Sequence, residues 1–221
     1  MLELGIKVLI SYLLGSLNGS LILGKFKGVD IRASGSGNAG GTNALRTQGV
    51  VFAFFVMVID VGKGWLPVAL LPSMALPGVP IDPEVSRTWL SLACGGAAIA
   101  GHCYPVWFNF AGGKGAATTL GVLIAFAPAL LLPAGITFVT VLVLTGYVGL
   151  STISAAVAMP LWIAATDFAD SLPLFVFLIA LALFIVYTHR SNIQRLRDGT
   201  EIRSERVMLF RRRRPERGDA G

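Results

Sequence analysis

The sequence predicts an all-α membrane protein, a bundle of seven transmembrane helices, and three observations carry that expectation. The chain has 221 residues, 54% of them hydrophobic and 14% charged, with a mean hydropathy of +0.73, far more apolar than one soluble core needs. The apolar residues are gathered in blocks of about 20, the length that crosses a bilayer as a helix, and lipid leaves helix as the economical way to pair the backbone. Most of the cations sit outside the blocks: ten of the eighteen Lys and Arg residues follow Thr188. That is how charge is laid out at a membrane surface, so the net charge of +6 points to lipid headgroups and not to nucleic acid.

Spans are expected at 4–23, 50–71, 88–107, 116–133, 134–150, 151–165 and 171–188. The first opens on Met1-Leu2-Glu3-Leu4, without the basic leader and small-residue cleavage site of a signal peptide, so it is expected to be retained. The second carries Asp60 and Lys63, three apart, best explained as an intrahelical ion pair facing the bundle. The fifth and sixth divide at Gly146-Tyr147-Val148-Gly149. Merging them would give six spans, and charge decides against that. With seven, one side receives Lys25, Lys27, Arg32, Arg46, Lys114 and the arginine-rich tail, while the loops of the other receive Arg87 with Asp82, Glu84, Asp167 and Asp170. The positive-inside rule then puts the N-terminus outside the cytoplasm and the C-terminus within it. Residues 1–202 read as one integral membrane domain, and 203–221, with arginines at 211–214, as a basic cytoplasmic tail serving as topology anchor. Cys94 and Cys103, about 13 Å apart along one helix, are too distant for a disulfide.

Three polar clusters fall on the side chosen by the arginines. The first contains Ser36, Asn38, Gly40, Gly41, Thr42, Asn43 and Arg46 in a run too glycine-rich to be held by side-chain packing. Its backbone can turn N–H groups toward a ligand, and Arg46 adds a fork suited to phosphate oxygens. A plain Gly/Ser linker would not mix in two asparagines, a threonine and an arginine at such density. The second runs from Gly101-His102 through Gly112-Gly113-Lys114-Gly115 into the fourth span. Glycines there would leave bare amides at a helix N-terminus beside the Lys114 charge, a phosphate-binding arrangement. It is not a Walker A loop, since Gly115 stands where the magnesium-binding hydroxyl belongs, and no ATPase is expected. Tyr104, Trp107, Phe108 and Phe110 read as an interfacial belt that could also line an acyl groove. The third is His189-Arg190-Ser191-Asn192; if the helix continues, His189 and Asn192 share a face. A histidine ending a membrane helix is often only an interfacial polar residue, and its company raises this one above that. Together the clusters form one site with cations, no cysteine nucleophile and no metal cage.

At these residues the chain resembles the bacterial acyl-phosphate-dependent glycerol-3-phosphate acyltransferases, the PlsY family. Ser36-Gly37-Asn38 through Arg46, Gly101-His102 through Thr118, and His189-Arg190-Ser191-Asn192-Ile193 look like its three motifs, in order, over essentially the whole chain. The resemblance implies transfer of an acyl group from acyl phosphate to the 1-hydroxyl of glycerol 3-phosphate at the cytoplasmic face of the bacterial inner membrane, with neither cofactor nor metal. It also implies an upstream enzyme that forms the acyl phosphate. By matching position, Ser36, Arg46, Lys114, His189 and Asn192 would surround glycerol 3-phosphate and the transferring phosphate. Asn38, Gly40, Gly41, Thr42, Asn43, His102, Gly112, Gly113 and Gly115 would shape the loops or touch substrate. Ala111 departs from the pattern, which often has a basic residue there. The His-x-x-x-x-Asp dyad of the other large glycerolipid acyltransferase group is missing, so no dyad-type base is expected and the donor's own phosphate would assist. An anion or phosphorylated-solute transporter is the alternative; it needs a second polar mouth, which the sparse outer loops do not offer.

Overall fold

The computed structural model describes residues 1–168 and 171–209; Asp170 and the arginines at 211–214 lie outside them. Among these residues the chain forms ten α-helices: α1 (Leu2–Gly15), α2 (Gly19–Lys27), α3 (Gly41–Gln48), α4 (Val50–Leu70), α5 (Arg87–Cys103), α6 (Ala116–Phe126), α7 (Leu131–Thr145), α8 (Val148–Thr166), α9 (Leu172–Thr188) and α10 (Arg190–Arg197). Val50–Leu70, Pro128–Thr145 and Val148–Thr166 are each long and apolar enough to cross a membrane; α1 with α2, and α9 with α10, are bent pairs that would each supply one more.

The boundaries differ from expectation where local chemistry overrides hydropathy. The first apolar block is broken after Gly15 and bends by 43°. Asn18 caps α2 by accepting from the Leu21 amide at 3.2 Å, and the Ser16 hydroxyl donates to Tyr12 O at 2.9 Å, so both spend side-chain bonds on ending one helix and starting another. The fourth and fifth blocks divide at Ala127 and not at 133/134. Pro128 has no N–H to give, and a residue before proline avoids helical backbone; Ala127 sits at φ −142°. The fifth and sixth divide at Gly146-Tyr147, within the break expected at 146–149. Gly146 ends α7 at φ +76°, a left-handed cap that suits glycine. The run at 34–46 is also not all loop, since α3 begins at Gly41.

Small residues set the helix spacing. Gly64 of α4 lies against the Thr118 backbone of α6 and Gly121 of α6 against Val61 of α4, while Gly15 of α1 meets Ala98 of α5. A methyl at any of them would strike backbone, and such close approach is what packs helices where lipid gives no hydrophobic drive. Val68, Ile99, Val122, Met159, Leu178 and Ile185 bring α4, α5, α6, α8 and α9 into one core. At the end opposite the glycine-rich loops, Glu3 is buried with Lys7 at 2.7 Å and receives both Arg87 Nη1 and Nη2 at 2.6 and 2.9 Å, while the Met1 ammonium meets Asp82 at 2.5 Å.

Candidate active site

The α1–α2 break organises the floor of the site. Asp60 of α4, buried, pairs with Lys63 at 2.9 Å and accepts from the Gly19 amide at 2.9 Å, and Lys63 donates to Leu17 O at 3.1 Å. The expected intrahelical pair is therefore present, and it also fastens the chain break. Burying two charges is tolerable only with such further bonds. Asp60 Oδ1 lies 3.5 Å from His102 Nδ1. His102 thus has a carboxylate neighbour after all, 42 residues away in sequence and invisible to a search for contiguous dyads. From the same break, Asn18 Nδ2 donates to Ala39 O at 3.2 Å and tethers the first glycine-rich loop.

That loop is shaped chiefly by Asn43. Its Nδ2 donates to Ile31 O and Ser34 O, both at 3.0 Å, and its Oδ1 accepts from the Ser36 amide at 2.8 Å. Three of the four bonds its amide can make go to the protein, so Asn43 builds the loop and presents Ser36. Arg32 joins this loop to the next by donating to Phe108 O at 3.3 Å and Ala111 O at 2.9 Å.

The second loop differs from the expected cradle of bare amides. The Gly112 amide donates to Cys103 O and the Gly113 amide to His102 O, each at 3.1 Å. Their glycine character serves close approach: a Cβ on Gly113 would lie 2.7 Å from Ala39 O and strike the His102 ring. Gly115, at φ +90°, ends this turn and starts α6, whose first residues do face the cavity.

The third cluster is bent. α9 ends at Thr188 and α10 leaves at 55°, so His189 occupies the joint instead of continuing one helical face. Its Nδ1 is 2.8 Å from Ile185 O. A carbonyl can only accept, so Nδ1 carries the proton and Nε2 is left as acceptor. Burial above all pushes the His189 imidazole down to about 4, which keeps it neutral near pH 7. Lys114 Nζ donates to Asn192 Oδ1 and, at 3.2 Å, to Ser191 Oγ. Burial first, and Arg195 next, push Lys114 down to about 8, against the pull of Glu201. Arg190 does not join them; it stacks on Tyr187 at 4.5 Å.

These elements enclose a cavity of about 530 Å³ with two unlike ends. Ser36, Asn38, Arg46, Lys114, His189 and Asn192 line one end, with Gly40, Gly41, Thr42, Asn43, His102 and Gly115. The other runs between α6, α7 and α8 along Leu120, Leu123, Leu131, Phe138, Val139 and Met159. Of the site residues expected from sequence, only Gly112 and Gly113 fall outside the lining. The aromatic belt does not line the apolar end: Trp107 and Phe110 are 57% and 58% exposed. Four polar lining residues were not expected, Asp60, Thr119, Thr152 and Glu201. A polar residue inside an apolar span was a usable signal for the first three. Glu201, beyond the last span, carried none.

Comparisons with known proteins agree with this geometry. The profile of a family described as glycerol-3-phosphate acyltransferase matches residues 5–199. A glycerol-3-phosphate acyltransferase of Geobacter sulfurreducens is 40% identical over 195 residues, covering 88% of this chain and 94% of the relative. One of Salinibacter ruber is 43% identical, covering 91% and 92%. Crystal structures of PlsY (YgiH), an integral membrane glycerol 3-phosphate acyltransferase, in its glycerol 3-phosphate and lysophosphatidic acid forms, superpose with TM-scores of 0.77 and 0.76 at 34% identity, covering 90% of this chain and 94% of that one. Matched along nearly its full length in both sequence and fold, the chain is an all-helical, multi-pass integral membrane protein and belongs to the PlsY-type glycerol-3-phosphate acyltransferase family.

Proposed function

We propose that this protein transfers a fatty acyl group from acyl phosphate to the 1-hydroxyl of glycerol 3-phosphate, giving 1-acylglycerol 3-phosphate (lysophosphatidic acid) and phosphate, the first acylation of phospholipid synthesis. The observation that carries the reading is the two-ended cavity. Its cationic, hydrogen-bonding end suits phosphate groups and its apolar end suits a fatty chain, with no wall between them. Arg46 and Lys114 bind the phosphates, Ser36 and the loop tied by Asn43 seat the glycerol, and Asn192 fixes Lys114. His189, neutral with Nε2 free to accept, orients the attacking hydroxyl.

The hydroxyl oxygen attacks the acyl carbon, the bond from that carbon to the phosphate oxygen breaks, and the hydroxyl proton ends on the departing phosphate. A mixed anhydride already has a good leaving group, so positioning and charge stabilisation are what the protein must add. A side chain held well below neutral is a weak base at pH 7, which supports assistance by the phosphate over general-base catalysis by His189.

The bundle is proposed to make seven crossings, with residues 1–202 as the acyltransferase domain and 203–221 as a basic tail. The N-terminus is placed outside the cytoplasm, and the site at the cytoplasmic face of a bacterial inner membrane, where a donor-forming enzyme would deliver substrate. Lys25, Lys27, Arg32, Arg46 and Lys114 on the loops at the site's end support that orientation. At the far end Glu3, Lys7, Arg87 and Asp82 are paired with one another or the N-terminus, which speaks against the second mouth a transporter would need. Purified protein given labelled glycerol 3-phosphate should form lysophosphatidic acid with acyl phosphate in the presence of a chelator. Turnover with acyl-CoA alone, or loss on chelation restored by magnesium, would contradict the proposal.

A further inference from the structure

Glu201 lies two residues past the stretch matched by the family profile, yet its carboxylate reaches the cavity. Gly199, at φ +69°, turns the chain back after α10, and the Thr200 and Glu201 amides both donate to Arg195 O, at 2.8 and 3.1 Å. The side chain, 6% exposed, accepts from Arg195 Nε at 2.6 Å through Oε2 and from Asn192 Nδ2 at 2.7 Å through Oε1. Asn192 Oδ1 accepts from Lys114. Gly149 of α8 closes the space behind, where a Cβ would lie 2.6 Å from Asn192 Nδ2.

We propose that Glu201 is a positioning residue for acyl transfer: its carboxylate holds the amide nitrogen of Asn192, turns the amide oxygen toward Lys114 and so aims the ammonium at the phosphate end of the cavity. The inference rests on the acyltransferase reading above. An asparagine amide presents a donor on one side and an acceptor on the other, and its neighbours must choose between them. A carboxylate only accepts, so Nδ2 has to face Glu201 and Oδ1 is left for Lys114. With Asn192 Oδ1 and Ser191 Oγ each accepting from Nζ, a third donor remains for a phosphate oxygen. Arg195 completes the device by holding Oε2, which keeps Glu201 from collapsing onto Lys114 as a direct ion pair. Glu201 is also a negative charge among Arg46 of α3, Arg190 and Arg195 of α10 and Lys114 itself, with neutral His189 beside them. It thereby favours the charged lysine while the site awaits its anionic substrates.

The test compares E201Q, nearly isosteric, and E201A with wild type, following lysophosphatidic acid formation across pH. Both should lower kcat/KM for glycerol 3-phosphate by about tenfold or more, and both should move its alkaline limb to lower pH, a shift that general loosening would not produce. In a double-mutant cycle, E201A added to N192A should cost little beyond N192A alone, because the partner it acts through is gone. Should E201A fail to fold, E201Q alone decides. Wild-type rates and an unmoved limb in E201Q, or full multiplication of the N192A and E201A losses, would overturn the role of Glu201 and leave the function standing. A wild-type protein without turnover would overturn both.

Discussion

Replacing Lys114 tests the site where its charge, burial and geometry are all in view. An ammonium and a phosphate oxygen about 4 Å apart attract by about 4 kcal/mol at an effective dielectric near 20, and by about 1 kcal/mol in water. Lys114 is only partly exposed and faces the cavity, so the contact proposed for it with the transferring phosphate belongs between those limits. K114A should cost at least about 100-fold in kcat/KM, roughly 2.7 kcal/mol. The same residue sets a pH limit. In the proposed mechanism the working form is the charged one, and burial has lowered its proton affinity to about 8. The free enzyme therefore loses the ammonium as pH rises, and kcat/KM should fall above about pH 8. K114R keeps its proton throughout that range; it should retain more activity than alanine and lack the alkaline limb. The assay is lysophosphatidic acid formation by purified, monodisperse variants in detergent from pH 6 to 10. K114A within tenfold of wild type, or a wild-type profile flat to pH 10, would refute the reasoning.

R46A should lose at least about 100-fold in kcat/KM by the same loss of a phosphate contact, and normal kinetics in a folded R46A would remove Arg46 from the site. D60N strips buried Lys63 of its counter-ion and should cost about 3–5 kcal/mol of stability, read as a lower Tm in detergent; D60N/K63M should regain part of it, and an unchanged D60N Tm would show that the pair carries no such strain. For His189, an orienting role predicts that H189N or H189Q keeps more activity than H189A. If all three are equally inactive and the wild-type rate falls with one ionisation near pH 6.5, the ordinary value for histidine, general-base catalysis is the better account. Reporter fusions after 46, 115 and 197 should all report cytoplasmic, and an outward result at any of them contradicts the proposed topology.

Most of this was written in local sequence. The apolar blocks located the helical segments, and the three polar clusters located the residues that line one end of the cavity, because a glycine-rich run and a lone histidine are each costly to place beside lipid unless something binds there. What escaped was set by residues acting across the chain. Asn18 looks like any polar residue in an apolar block, yet its side chain starts a helix and tethers Ala39. Gly112 and Gly113 read as free amides, but only the fold shows His102 and Cys103 carbonyls waiting for them. Asp60 and His102 meet because α5 packs against α4, where Gly95 leaves room for Val68 and Val122. Glu201 is placed by a turn after the last helix, where hydropathy has nothing to say.

The central claim is that this cavity performs acyl transfer with phosphate as the leaving group. It is tested most directly with acyl phosphate carrying ¹⁸O in the bridging oxygen. Attack at the acyl carbon leaves that oxygen on phosphorus, so all of the label should appear in inorganic phosphate, released one for one with lysophosphatidic acid. Label retained in free fatty acid, with phosphate passed to the glycerol, would mean that the site transfers phosphoryl groups and would contradict the account.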